Sequence, residues 1–346
     1  MIKMYICNKR TYIMNPFVTT GYAGPDYFCD REKETEYITG LLENGNNIAL
    51  ISPRRYGKTD LIRHCFDQEN IRERYYTFII DIYSTNSFAE LTERLAKSII
   101  HNPSNTLDEI FAYINNSDKR CLIAIDEFQQ ITKYSDKNVE ARLRTYIQYC
   151  SNANFIFCGS QREMMGAMFT SSSRPFYQSS TIMNLPPIAK DKYLEFCQRH
   201  FCNSGKSLDS KIIDVLYDKF DSTTFYLQKV MNILFMRTEY GTECRTEDID
   251  DAINYIIDFS SETYEDLLYQ IPEKQKLLLI AIASEGKVSG LTSGKFIKKY
   301  ALQSASSASS AAKGLMDKGL ITFDRGKYML YDHFFRIWIV SRHLSF

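Results

Sequence analysis

Five short runs, NIALIS (47–52), YYTFIIDIY (75–83), CLIAIDE (121–127), NFIFCGS (154–160) and TIMNLPPI (181–188), are almost continuously apolar or aromatic. Runs of this length without polar alternation read as strands buried on both faces. Between them lie segments of helical spacing, such as TDLIRHCF, FAELTERLAKSII and ARLRTYIQYC. Strand and helix in alternation predict a parallel sheet covered on both sides, so residues 1–188 are expected to form an α/β domain. From about Ala189 the β-like runs stop, and KDKYLEFCQRHF, SKIIDVLYDKF, TFYLQKVMNILFMRTEY and TEDIDDAINYIIDF follow. These predict a helical subdomain over 189–270.

A chain of 346 residues exceeds the ~250–300 at which single cores stop growing, which agrees with two or three packed units. No apolar run approaches the ~20 residues needed to cross a bilayer, so a chain that spans a membrane is excluded. The opening MIKMYICNKRTYIMNPF lacks the apolar core and small-residue cleavage site of a signal peptide, and a cytoplasmic location is expected. Nine cysteines, an odd number with no close C-x-x-C pair, fall partly in apolar runs; reduced buried thiols are expected, rather than disulfides or a zinc site. The five histidines are scattered and offer no ligand cluster. Net charge is zero, yet 12 Lys and Arg face 5 Asp and Glu from Ile271 onward, against 30 and 37 before it. The basic end invites an anionic partner, although a solvated basic face is the commoner reason for such a cluster.

That end, 271–346, reads as PEKQKLLLIAIA, LTSGKFIKKY and SASSASSAAKGLMDKGL, three helices, followed by ITFDRGKYMLY, two β-runs about an RGK turn. The order is that of a winged helix-turn-helix. Small Ser and Ala residues let its third helix approach a phosphate backbone, with Lys313, Lys318, Arg325 and Lys327 nearby. The helix holds no Asn, Gln or Arg to read bases, so any DNA binding is expected to be independent of sequence. The alternative is that the same fold packs against protein and the serines only cap a helix.

The segment LISPRRYGKTDLI (50–62) carries the chemistry. A phosphate-binding loop needs a buried strand, inward amides, a glycine, a lysine for the β/γ-phosphates and a Ser or Thr for Mg2+ where a helix begins. Gly57, Lys58 and Thr59 meet the pattern G-x-x-x-x-G-K-[ST], and Ser52 stands in place of its first glycine. Serine is tolerated there if its φ is negative or mildly strained. CLIAIDEF then sets Asp126 and Glu127 at the end of a strand, 68 residues after Lys58. Phosphoryl-transfer sites place an Mg2+-holding aspartate there, and the neighbouring glutamate can polarise the attacking water. An isolated acidic pair would merely end a strand; the order of strand, loop and pair makes that reading the lesser one.

Together, ISPRRYGKTDLI, IAIDEFQQI and FIFCGSQREMM resemble the archaeal-type ATPases of the AAA/STAND class of P-loop proteins, also widespread in bacteria. The likeness extends over nearly the whole chain and implies a P-loop NTPase sheet, a helical lid and a C-terminal winged helix. The family's loop reads G-P-R-R-x-G-K-T, which Pro53, Arg54, Arg55, Gly57, Lys58 and Thr59 match. The candidate ATP-binding residues are therefore Ser52, Pro53, Arg54, Arg55, Tyr56, Gly57, Lys58, Thr59 and Asp60, with Thr59 and Asp126 for Mg2+. The side chains of Arg54 and Arg55 are expected to point away from the phosphates, holding a partner surface or staying solvated. YFCDREKETEYI resembles the family's stretch near the nucleotide base. Phe28, Arg31 and Glu34 keep its pattern, while Asp30 replaces a glycine.

Catalytic candidates are Glu127, Lys58, Ser160 and Arg174. By the same resemblance, the Ser160 hydroxyl would sense the γ-phosphate, or it is simply a turn residue. Arg174 lies where related enzymes carry an arginine that reaches a neighbouring subunit's nucleotide, which would imply a homo-oligomer; a surface salt bridge is the favoured alternative. The lid segment TTFYLQKVMNIL offers Tyr226, Gln228 and Lys229 but no arginine, and its Tyr and Met residues are expected in the core. The expectation is an Mg-dependent ATPase that works as a nucleotide-driven switch coupled to the winged helix. The alternative is a non-catalytic DNA- or protein-binding scaffold whose loop has degenerated at Ser52.

Overall fold

The computed structural model describes residues 14–343; the first 13 residues of the opening segment, Cys7 among them, lie outside it. The five apolar runs form strands β1 (Ile48–Ile51), β2 (Tyr75–Asp81), β3 (Arg120–Asp126), β4 (Ala153–Gly159) and β5 (Thr181–Asn184). They make one sheet in the order β2-β3-β4-β1-β5, every pair parallel. Parallel strands end on the same edge, so the segments after β1, β3 and β4 emerge side by side, where α/β sheets bind ligands.

Alternation along the strands divides the core into two layers. Ile48, Leu50, Leu122, Ala124, Ile156 and Cys158 face one side, against Leu61, Ile62 and Ile38 from helices. Ala49, Ile51, Ile123, Ile125, Phe155 and Phe157 face the other. There Phe176 packs edge-on to Phe128 and Phe157, at 5.2 and 5.3 Å between ring centres. Truncating one such aromatic to alanine costs about 3–5 kcal/mol. The inner strands β1 and β4 are buried along their whole length, as expected. The outer strands are not: β2 leaves six of its seven residues, and β5 all four, partly or fully exposed. Each has a neighbour on one side only, and Tyr76 instead uses its hydroxyl on Asp118 at 3.2 Å. Local side-chain caps start two covering helices. Ser87 accepts from Glu90 N at 3.2 Å, and Thr106 and Glu109 form a reciprocal capping box.

Helices Lys190–Asn203, Lys211–Lys219 and Thr224–Arg237 follow the sheet. The chain packs as two compact units whose boundary, Asn232/Ile233, falls inside the last of these helices. The second unit continues with helices Asp248–Tyr269, Glu273–Glu285, Gly294–Lys299 and Ala305–Asp317, the hairpin Ile321–Asp324/Lys327–Leu330, and helix His333–His343. The Ser/Ala stretch forms an amphipathic helix in which Ala308, Ala311, Ala312 and Leu315 are buried while Ser306, Ser309, Ser310 and Lys313 are exposed. Ser304 caps it, accepting from Ser307 N at 3.1 Å. Small residues permit close approach: a Cβ on Gly314 would lie 2.2 Å from Gln275 Nε2. The hairpin turns on Arg325 and Gly326, both left-handed at φ 49° and 78°, as a two-residue type I′ connection requires. Val288 adds a third, one-residue strand, exchanging backbone hydrogen bonds of 2.9 and 2.8 Å with Tyr328.

All eight cysteines among the described residues are free thiols, and every one but Cys202 is buried. Burial pushes the Cys65 thiol up to about 12 and Cys150 to about 11. Among the described residues no helix is long and apolar enough to cross a membrane.

Candidate active site

The segment after β1 turns at Ser52, which is fully buried. Its amide donates to Gly159 O at 3.3 Å and its hydroxyl to Pro53 O at 3.0 Å. Ser52 is not among the residues with positive φ, so the missing glycine causes no backbone strain and the hydroxyl is satisfied locally. The left-handed positions are Arg55 (φ 69°) and Gly57 (φ 84°), and Gly57 directly precedes helix Lys58–Phe66. Lys58, the first residue of that helix, is 6% exposed. Its ammonium donates to Ser52 O at the long distance of 3.4 Å and, among the described residues, has no carboxylate within ion-pair reach. A buried ammonium without a counter-charge is costly, and this one sits beneath a loop at a helix N-terminus, where anions are favoured.

Thr59, next in the helix, donates its hydroxyl to Asp126 Oδ2 at 2.6 Å, joining residues far apart in sequence. Asp126 ends β3, and its other oxygen accepts the Glu127 amide at 2.9 Å. Glu127 takes a left-handed backbone (φ 55°) as the chain leaves the strand. Its carboxylate accepts the Ser160 hydroxyl at 2.8 Å and the Gln129 amide on the same oxygen. Asp126, Glu127 and Ser160 thus converge with Lys58 and Thr59 on one sheet edge. Hydroxyl and carboxylate oxygens are hard donors that suit Mg2+, which a protein commonly holds through one or two carboxylates together with substrate phosphates.

The two loop arginines depart from expectation. Arg54 is folded over the acidic end of β3, with Nε 3.3 Å from Ser160 Oγ and 3.5 Å from Glu127 Oε1, and its guanidinium lies 5.1 Å above the Tyr83 ring. Arg55 reaches the start of helix Thr224–Arg237. Its guanidinium donates to the Tyr226 hydroxyl and lies 4.8 Å over the Phe225 ring, while its carbonyl accepts the Phe225 amide at 3.1 Å. Solvation and a partner surface are replaced by intramolecular carboxylate and aromatic partners, which offer a guanidinium charge and a stacking face. Tyr226 is buried, as expected, but its polar tip is used.

Pro53 and Tyr56 line the loop, partly exposed. Asp60 follows Thr59, and burial raises its carboxyl above the ordinary carboxylate value, with Arg63 pulling the other way. Phe28 stacks on His64 at 4.3 Å and 17°, with Tyr22 hydrogen-bonded to the His64 ring at 3.0 Å. Burial lowers the His64 pKa, which favours the neutral ring. Arg31 is 3% exposed and spends its fork on Glu34 Oε1 and Pro186 O, both at 2.8 Å. Asp30 and Arg31 are left-handed in succession, at φ 55° and 79°; glycine would adopt this at the first position without strain, and aspartate is among the residues that tolerate it. Arg174 is engaged elsewhere, pairing with Glu140 at 2.6 Å. Burial raises the Glu140 carboxyl, and Arg174 opposes that shift. Gln129, Phe225 and Tyr83 were not legible as site residues. Gln129 follows Glu127 by two, but nothing local distinguishes its amide from any core glutamine.

Residues 28–230 match the family described as an ATPase domain predominantly from Archaea. The chain belongs to this family. Residues 262–341 of this archaeal-type ATPase match a probable winged helix domain. Among solved structures, it is similar to a Walker-type ATPase of Pyrococcus abyssi, with TM-score 0.66 and 18% identity over 94% of this chain and 99% of the other. It is also similar to the ORC2 protein of Aeropyrum pernix in ADPNP–ADP complexes (TM-score 0.60, 13% identity, covering 96% and 98%). The ORC1 protein of Aeropyrum pernix in complex with DNA gives TM-score 0.56 and 15% identity, covering 92% and 94%. At such identities the likeness is one of fold. No curated protein matches the chain.

Proposed function

We propose that this archaeal-type ATPase binds Mg-ATP on the loop 52–59, hydrolyses it, and uses the cycle to reset its helical lid and winged helix. The observation that carries this is the buried Lys58 ammonium, which among the described residues lacks a carboxylate partner and sits at a helix N-terminus, where an anion is favoured. In this reading Lys58 meets the β/γ-phosphates. Thr59 and Asp126 hold the Mg2+, which would neutralise charge developing on the phosphates. Glu127 orients the attacking water and accepts its proton, with Ser160 and Gln129 fixing the carboxylate. Phe28 is assigned to the base side of the site. Arg31 and Arg174, both occupied by protein partners, are assigned to holding the fold.

Ser52 argues against a degenerate, non-catalytic loop, because the turn accommodates it without left-handed backbone. Calorimetric titration of the full chain with Mg-ATP tests the reading: one saturable site per chain is expected, and no binding would overturn it.

The Arg55 contacts supply the switch. Through them the loop grips the first residues of helix Thr224–Arg237, so a loop that rearranges around phosphate pulls on that helix. For the winged helix we favour duplex DNA bound through phosphates, supported by the basic end of the chain, the exposed Lys313, Lys318, Arg325 and Lys327, and a fold shared with a protein seen on DNA. Affinity for unrelated duplexes is then expected to fall steeply with salt and vary little with sequence. Replacing Arg325 and Lys327 together by alanine is expected to flatten the log–log salt slope by about 1–2. Should the full chain bind no duplex even at low salt, the winged helix contacts protein instead; it also exposes Met316 and Phe323.

A further inference from the structure

We propose that Arg54 is a positioning residue that locks Glu127 in the absence of a triphosphate and is drawn off by the terminal phosphate of ATP, so that the loop itself distinguishes ATP from ADP. The proposal rests on the ATPase reading above. Both oxygens of Glu127 are engaged. Oε2 accepts from Ser160 Oγ at 2.8 Å and from the Gln129 amide, and Oε1 faces Arg54 Nε at 3.5 Å. Arg54 also donates to Ser160 Oγ at 3.3 Å, so it touches both the carboxylate and the hydroxyl that orients it. A water activated by Glu127 must donate to one of these oxygens. Oε2 already has two donors, and the approach to Oε1 is covered by a cation.

The lock is built to open. Arg54 is about one-third exposed and its contact with Glu127 is long, and such ion pairs are weak. Its guanidinium leans on the Tyr83 ring rather than being enclosed. It belongs to the same short loop as Lys58, four residues on, so a phosphate chain lying along that loop passes within the reach of its side chain. Phosphate oxygens bind guanidinium in paired, charge-assisted hydrogen bonds, shorter and stronger than the 3.5 Å contact between Arg54 Nε and Glu127 Oε1. When a terminal phosphate fills the loop, Arg54 exchanges Glu127 for it, Oε1 becomes available to water, and Ser160 with Gln129 still holds Oε2. ADP lacks that phosphate, and the lock stays closed. Arg55 cannot take this part, since it is committed to Phe225 and Tyr226.

The test is calorimetric titration of the full-length chain, wild type, Arg54→Ala and Arg54→Lys, with ADP and with a non-hydrolysable ATP analogue, each with Mg2+. The wild type is expected to bind the analogue more tightly than ADP. Arg54→Ala is expected to reduce that preference at least tenfold, and Arg54→Lys, which keeps the charge but not the fork, to restore part of it. A merely structural arginine would change both affinities together and leave their ratio alone. A ratio in Arg54→Ala within twofold of wild type, or a wild type with no preference, overturns the sensor while leaving the ATPase reading intact. A wild type that binds neither nucleotide overturns both.

Discussion

Glu127→Gln is expected to slow ATP hydrolysis by about 10²–10⁴-fold, the range associated with removing a positioned general base, while Mg-ATP still binds. Glutamine keeps the length and shape of the side chain, so Ser160 Oγ, 2.8 Å from the carboxylate now, can go on donating to its carbonyl oxygen. What disappears is the ability to accept a proton. Asp126 and its 2.6 Å bond from Thr59 are left in place, so metal and nucleotide affinity are expected to change little. Single-turnover rates beside calorimetric affinities separate the two effects. A variant that hydrolyses at the wild-type rate would move the base elsewhere.

Lys58→Ala is expected to weaken ATP binding by about 10–100-fold, from the loss of a charge-assisted contact of roughly 1.5–3 kcal/mol. The same residue carries a second, opposite signature. Because its ammonium is buried with one long hydrogen bond in the free chain, a volume-conserving Lys58→Met exchange removes a desolvated charge and is expected to leave the nucleotide-free melting temperature unchanged or higher. Thermal melts with and without Mg-ATP check both. Wild type should gain stability from nucleotide, in line with mass action, and the variants should gain less at the same nucleotide concentration. Unaltered ATP affinity in Lys58→Ala would remove the loop from the account.

The sheet was legible because its inner strands are buried on both faces, and few structures satisfy runs such as IALI and CLIAID except a covered parallel sheet. The exposure of β2 and β5 was not, since edge position is decided by strand order, which no single run encodes. The winged helix was legible from the order of three helical segments and two β-runs about the RGK turn, while the one-residue bridge at Val288 leaves no periodic trace. Within the site, Gly57, Lys58, Thr59, Asp126 and Glu127 could be named because local spacing fixes them. The arginines were misjudged for the opposite reason. A long side chain goes where its partner is, and the partners of Arg54 and Arg55 are as distant in sequence as Ser160 and Tyr226, 106 and 171 residues away.

The most direct test of the central claim is ATP consumption by the purified full chain, with Mg2+ or with a chelator, and with or without duplex DNA. The account predicts Mg2+-dependent release of ADP and phosphate that Glu127→Gln slows by about 10²–10⁴-fold. No turnover above that of Glu127→Gln under any of these conditions would contradict it.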